Sequence, residues 1–290
     1  MEQLTIALIS GLGAGLVAIF ATLAIERLGG RLGGIIGTLP TTIIPASWGL
    51  WYQGQTELNP QAFEAFSMAM YAVPAGMCLN AIFLWLWRVI PQKLPTIVQQ
   101  SQTDSRSLHR ALAMMSLITL GLWFIGAFVW VSLSKHWLIS PDLHLMSAQC
   151  SLLLIILIGI GATYHTRPAP KGKKTTQLTT LISRGLCAML AVIIAVLIAK
   201  SGASTFAGVA SVFPAIFWTT MVSLWLSQGQ AVPAGAVGPM MLGSSSVAIF
   251  AIVAPYTYQT SGPFLGALLA WFTALLGAAL PSYAWIQRKV

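Results

Sequence analysis

The tightest constraint on this chain is its recurring apolar runs of about 20 residues, because a helix of that length matches the ~30 Å hydrocarbon core of a bilayer. Nine such runs can be read, over residues 4–25, 32–52, 64–87, 111–134, 143–164, 181–199, 204–226, 232–256 and 261–285. They are continuous, not ten-residue segments of alternating polarity, which indicates helices and not an outer-membrane barrel. Backbone groups in lipid must be satisfied within their own segment. The expected fold is therefore an all-α polytopic membrane protein of about nine transmembrane helices. Only 7% of the 290 residues are charged, against about a quarter in soluble domains.

The basic residues test the span count independently. With the N-terminus outside, thirteen of the fifteen Lys and Arg residues fall on one face, and only Lys135 and Lys200 fall on the other. That bias marks the crowded face as the cytoplasm. The reading places the protein in a bacterial inner membrane with its C-terminus cytoplasmic. The chain opens Met1-Glu2-Gln3, and its first cations, Arg27 and Arg31, follow the first run. A retained first helix is expected there, not a cleaved leader. The net charge of +9 then reflects orientation, with no nucleic-acid partner implied. Membrane lipids are expected partners, the basic linker near residues 165–177 suiting anionic headgroups, and a homo-oligomer remains open.

The stretch Gly33 to Pro45, GGIIGTLPTTIIP, poses a physical problem, since it puts poor helix formers into an apolar span. A second stretch repeats it. GIIGTLPTTIIPASWGLW from Gly34 aligns with GVASVFPAIFWTTMVSLW from Gly208 at a constant offset, pairing Gly34 with Gly208, Pro40 with Pro214, and Trp51 with Trp225. The following spans correspond after a small gap, Met70 meeting Met241. Spans 1–4 thus match spans 6–9, and a displacement of five spans reverses direction. Two inverted-topology four-helix repeats, residues 1–134 and 178–290, joined through a central fifth helix and basic linker at 135–177, are expected, with Gly/Pro-broken helices in spans 2 and 7. This is a construction typical of secondary transporters, whose sites lie at paired broken helices near the midplane. Irregular backbone at that depth has to be buried in protein or line a wet cavity. A half-helix starting near Thr38 would aim its free N–H groups at that cavity.

The substrate-binding candidates are accordingly Gly37, Thr38, Pro40, Thr41 and Thr42 in the first break and Ser211 and Pro214 in the second. Asn80 and the run Ser244, Ser245, Ser246 come from the following spans. Hydroxyls often bond their own helix backbone, whereas a mid-span amide is costly in lipid and should face the bundle or a pathway. The site is expected to bind through hydroxyls, amides, backbone dipoles and aromatics such as Trp48, Trp51, Trp218, Trp225, Tyr71 and Tyr256, although several of those tryptophans lie near span ends and read as interfacial anchors. All six acidic residues lie outside or at the ends of the runs, which argues against proton relay or hard-metal transport. The histidines lack ligand spacing, the methionines read as packing, and no nucleophile elbow or phosphate loop occurs, so neither metal, cofactor nor enzymatic activity is expected. The expected function is secondary transport of a small neutral or anionic organic solute by alternating access. The competing expectation is a channel or a lipid translocase using a groove between the repeats.

Overall fold

The computed structural model describes residues 2–28, 39–54, 60–93, 105–164 and 178–288. Every regular element in them is helical: α1 (Glu2–Leu28), α2 (Ile43–Gly54), α3 (Pro60–Lys93), α4 (Ser105–Trp137), α5 (Pro141–Tyr164), α6 (Leu178–Lys200), α7 (Ser204–Ser211), α8 (Ala215–Gln228), α9 (Ala231–Gly243) and α10 (Ser245–Ala274), the last running through a π-turn (Leu275–Ala279) into α11 (Leu280–Gln287). Seven helical segments among the described residues are long and apolar enough to cross a membrane, which makes this an α-helical integral membrane protein.

Seven is fewer than the nine runs read from sequence. The described part of span 2 is the 12-residue α2, too short to cross alone. The segment Val232–Gln287, 56 residues long, turns back on itself at Gly262, whose φ of 73° and ψ of 170° interrupt the helix. Positive φ costs glycine nothing, and Pro263 then starts the return arm. A side chain on Gly266 would meet the Thr257 carbonyl, Gly277 faces Ile249, and Ser282 reaches Leu242. These pairs are symmetric about Gly262, as two antiparallel arms require.

The same kind of pairing fixes the other directions. Gly11 of α1 abuts Met189 and Ile193 of α6, and Gly15 abuts Gly185, so α1 and α6 run antiparallel with backbones in contact at glycines. Along α3, Phe66 stacks on Tyr258, Ala81 and Ile82 share a cavity wall with Met241, and Arg88 bonds the Ala234 carbonyl. Thus α9 and the first arm of α10 form one path antiparallel to α3. Parallel to α3 run α5, with Cys78 bonded to the Ser151 carbonyl and Arg88 to that of Ala162, and α7, with Gly208 against Ala69 and Asn80 against Val212.

α3 is the axis of the molecule. In its most apolar window 72% of residues are buried, against 17–39% for the other candidate spans. Its first half packs in a core with α1, α2, α6 and α10, and its second half in a core with α4, α8 and α9. The fifth span, expected at the centre, is central only in sequence. α5 is the least buried candidate span, at 17%, because only the narrow stripe His144, Ala148, Ser151, Ile155, Gly159 and Thr163 is covered. Leu153, Leu154 and Leu157 are exposed, as suits a helix packed on one face and bathed in lipid on the rest.

Candidate functional site

The second predicted break lies between α7 and α8. Pro214 has no N–H to donate to Ala210 and disfavours helical geometry at Phe213. Val212 accordingly leaves the helix at φ −110°, ψ 26°, Phe213 N–H takes the Ala210 carbonyl at 3.0 Å, and Ala215 N–H turns to Phe213 at 2.7 Å. The Val212 carbonyl, deprived of a helical partner, accepts Asn80 Nδ2–H at 2.8 Å. Asn80 also donates to Met77 Sδ at 3.5 Å, while its Oδ1 accepts from Trp123 Nε1 at 2.8 Å. Trp123 meets Phe213 edge-on, ring centroids 5.3 Å apart. With Asn80 only 2% exposed, its amide bridges α3, α4 and the break and holds the irregular backbone in place. α7 approaches α3 so closely here that a Cβ on Gly208 would overlap the Ala69 carbonyl oxygen.

In the first break, Gly37 and Thr38 lie outside the described residues. Pro40 is buried, Thr41 and Thr42 are half-buried and non-helical, and Thr41 N–H bonds the Leu39 carbonyl. The half-helix α2 begins at Ile43 and not near Thr38. Pro40 disfavours helix at Leu39, whereas Pro45 fits a first turn, where its missing N–H has no helical partner to lose. One turn in, Ser47 Oγ lies 2.7 Å from the Tyr258 hydroxyl and 2.8 Å from the Ile44 carbonyl. Trp48 Nε1 donates to the Pro263 carbonyl at 3.0 Å, tying α2 to the turn at Gly262.

Ser244, Ser245 and Ser246 mark the junction of α9 and α10. Each hydroxyl donates to the carbonyl three residues back, at 2.6, 2.7 and 2.9 Å, and the residues are 3%, 1% and 0% exposed. Ser211 does the same toward Gly208 at 2.7 Å. These donors are committed to their own backbone, the local competition open to any Ser in a helix. The bonds of Asn80 run to Met77, Val212 and Trp123 and not to the serine junction. Ile43, Val212 and Ala248 nevertheless belong to one contiguous core, so both breaks and the serine junction border the same packed interior. Among the described residues no group of three His, Cys, Asp or Glu could hold a metal, and Glu64 and Asp142 are exposed.

Trp51 and Trp225 are buried in protein, at 8% and 2% exposure, and do not sit at an interface with lipid headgroups. Trp51 meets Tyr258 at 5.5 Å and 77°, and Phe66 at 5.0 Å. Trp225 meets Trp87 at 5.9 Å and 74°. The two clusters lie near opposite ends of α3, about 30 Å apart along it. Trp123 and Tyr258 were not singled out from sequence. An indole at the middle of span 4 was the available signal for Trp123, since an interfacial anchor has no purpose there. For Tyr258 it was spacing, because the shift pairing Met70 with Met241 also pairs Trp87 with Tyr258. Compared with protein-family models, curated proteins and solved structures, the chain matches none.

Proposed function

We propose that the protein is a secondary transporter of nine crossings, built as two inverted four-helix repeats, that moves a small neutral or anionic organic solute by alternating access. The observation carrying this reading is the exchanged aromatic pair. Trp51 of span 2 closes on Tyr258, just past the end of span 8, and Trp225 of span 7 closes on Trp87 of span 3. Repeat correspondence takes Trp51 to Trp225 and Tyr258 to Trp87, so each contact is the other with the repeats interchanged. Antiparallel α1 with α6, and α3 with α9 and α10, supports the same relation, as does the tie of each broken span to span 9 or span 4: Trp48 to Pro263, and Trp218 to Ser116 at 2.8 Å. The fold-back at Gly262 supports a separate ninth crossing.

On this reading the two aromatic pairs are gates at the two membrane boundaries, and both are shut. Rocking one repeat against the other opens one pair while the other stays packed. The solute then meets the broken backbone at Thr41 and Thr42 and at Ser211 to Pro214, with Ser244 to Ser246 bordering the path. Asn80 is a positioning residue that keeps the second break in shape through the cycle. The Trp87 indole N–H is buried without an acceptor, whereas Tyr258 is bonded to Ser47. The Trp87–Trp225 end, the basic cytoplasmic one, is therefore the weaker seal and opens first.

The test uses protein with its free cysteines Cys78, Cys150 and Cys187 replaced, reconstituted in vesicles with a solute chosen by thermal-shift screening with and without sodium. Cross-linking Trp51→Cys to Tyr258→Cys, or Trp87→Cys to Trp225→Cys, is expected to stop saturable uptake, with reduction restoring it. Flux that persists with either pair locked refutes alternating access and leaves the channel reading. A lipid translocase is favoured by one feature, a cavity opening sideways between α3, α5 and α9. It would instead move labelled phospholipid between leaflets and no solute.

A further inference from the structure

Arg88 sits in the last turns of α3 and turns inward between two other helices. Its Nε–H donates to the Ala234 carbonyl of α9 at 3.1 Å and Nη1–H to the Ala162 carbonyl of α5 at 3.0 Å. Nη2 is covered and has no partner. Both bonds go to neutral carbonyls, and among the described residues none goes to a carboxylate, so these contacts hold the charge in place without neutralising it. Ala162 lies in the last turn of α5, where the helix dipole offsets only part of a positive charge. An arginine fixed this way at a membrane boundary calls for an anion.

One turn deeper on the same three helices lies a cavity of about 210 Å³, lined by Ala81, Ile82 and Trp85 of α3, Ile158 of α5 and Met241 of α9. Glycines create it. A Cβ on Gly159 would meet Leu242 Cα at 2.8 Å and one on Gly238 the Ala162 carbonyl at 2.9 Å, so α5 and α9 touch backbone to backbone and leave a crotch against α3. The walls are apolar, and Ile82 and Trp85 are each 47% exposed, so the cavity opens on the helix flank that faces lipid. Trp85 precedes Arg88 by one turn, and Ile158 precedes Ala162 by one turn. A molecule lying along α3 with its apolar part in the cavity therefore has its head beside Arg88.

We propose that this groove is a binding site for an anionic phospholipid, with a segment of acyl chain between Ile82, Trp85 and Ile158 and the phosphate at Arg88. The volume corresponds to about seven waters of liquid, room for part of one chain, with the rest of the lipid in the bilayer. Lipid tails are as apolar as the cavity walls, so the chain sets register and contributes little selectivity. Discrimination comes from the charge. One basic residue at the membrane surface corresponds to about a fivefold preference for an anionic headgroup.

The experiment is native mass spectrometry of the delipidated full-length protein, titrated with phosphatidylglycerol, phosphatidylcholine and inorganic phosphate. Parent protein is expected to retain phosphatidylglycerol about fivefold over phosphatidylcholine, Arg88→Gln to lose that preference, and Arg88→Lys to keep part of it. Ile158→Trp, which fills the cavity and leaves Arg88 intact, should lose retention of phosphatidylglycerol, covering the case in which Arg88→Gln does not fold. Equal retention of the two lipids by the parent, a preference untouched by both Arg88→Gln and Ile158→Trp, or competition by inorganic phosphate as effective as by lipid overturns the proposal. Solute uptake does not enter the readout, so this site and the transport reading stand or fall separately.

Discussion

Truncating Asn80 to alanine probes the break between α7 and α8 most directly. The amide makes two short bonds, to the Val212 carbonyl and from the Trp123 indole, both 2.8 Å, at a residue 2% exposed. Its removal leaves one buried acceptor and one buried donor unpaired. At about 1–3 kcal/mol for each unsatisfied group the loss is about 2–6 kcal/mol, and polar bonds inside membrane proteins tend toward the lower end. We expect about 2–3 kcal/mol, read as a shift in reversible unfolding in mixed detergent and dodecyl sulfate micelles. Asn80→Asp separates hydrogen bonding from volume, because it keeps an acceptor for Trp123 but points a second acceptor at Val212. It should be at least as damaging as alanine. Trp123→Phe in a double-mutant cycle with Asn80→Ala should give a coupling of about 0.6–1.7 kcal/mol. If Asn80→Ala lies within about 0.5 kcal/mol of parent, as surface changes do, or if the two changes are additive, the amide does not hold the break.

Three further outcomes follow from the packing. Gly208→Ala puts a methyl group into the Ala69 carbonyl, so that one of the two backbones has to shift, and should cost at least about 1–3 kcal/mol. Gly121→Ala, with nothing within 4 Å, should be neutral or stabilise by about 0.5–1 kcal/mol in the same unfolding assay; equal effects would mean that α7 does not rest on α3 as described. Tyr258→Phe removes the hydroxyl bonded to Ser47 but leaves the ring against Trp51 and Phe66, so stability should fall by about 1 kcal/mol. The same change should raise cysteine labelling at the α2 end of the bundle, and unchanged labelling would deny that pair a gating role. Tags at the two termini should label from opposite sides of the membrane, and same-side labelling would rule out an odd number of crossings.

Much of the backbone was legible because its causes are local. Runs of apolar residues specify helices in lipid, and Pro214 breaks span 7 wherever that span packs. The turn at Gly262 was readable as a boundary between two runs, although by helical continuity alone the segment is unbroken from Ser245 to Ala274. The start of α2 was misjudged by about a turn, since the competition between Pro40 and Pro45 is decided by which of them can occupy a first turn. The polar candidates were harder. A serine in a helix has the same sequence signature whether it faces a solute or bonds back to its own carbonyl, as Ser244, Ser245 and Ser246 do. Arg88 looked like one more orientation signal, because nothing in its neighbours along the chain foretells carbonyls from α5 and α9 closing over it.

What the sequence determined by itself is the set of properties carried by contiguous residues: an all-helical membrane fold, the break at Pro214, and the pairing in sequence of Gly34, Pro40 and Trp51 with Gly208, Pro214 and Trp225. What only the tertiary structure decided is which distant groups meet. α3 and not α5 is the axis, Asn80 serves the backbone of α7, Trp51 finds Tyr258 and Trp225 finds Trp87, and Arg88 is held by two backbone carbonyls beside an apolar groove. The physical reason is that hydropathy and proline geometry act over one or two turns of chain. In lipid, by contrast, helices have no hydrophobic drive to associate in one arrangement over another. Their contacts are chosen by close fit at glycines and by single buried hydrogen bonds, and those are properties of pairs of surfaces.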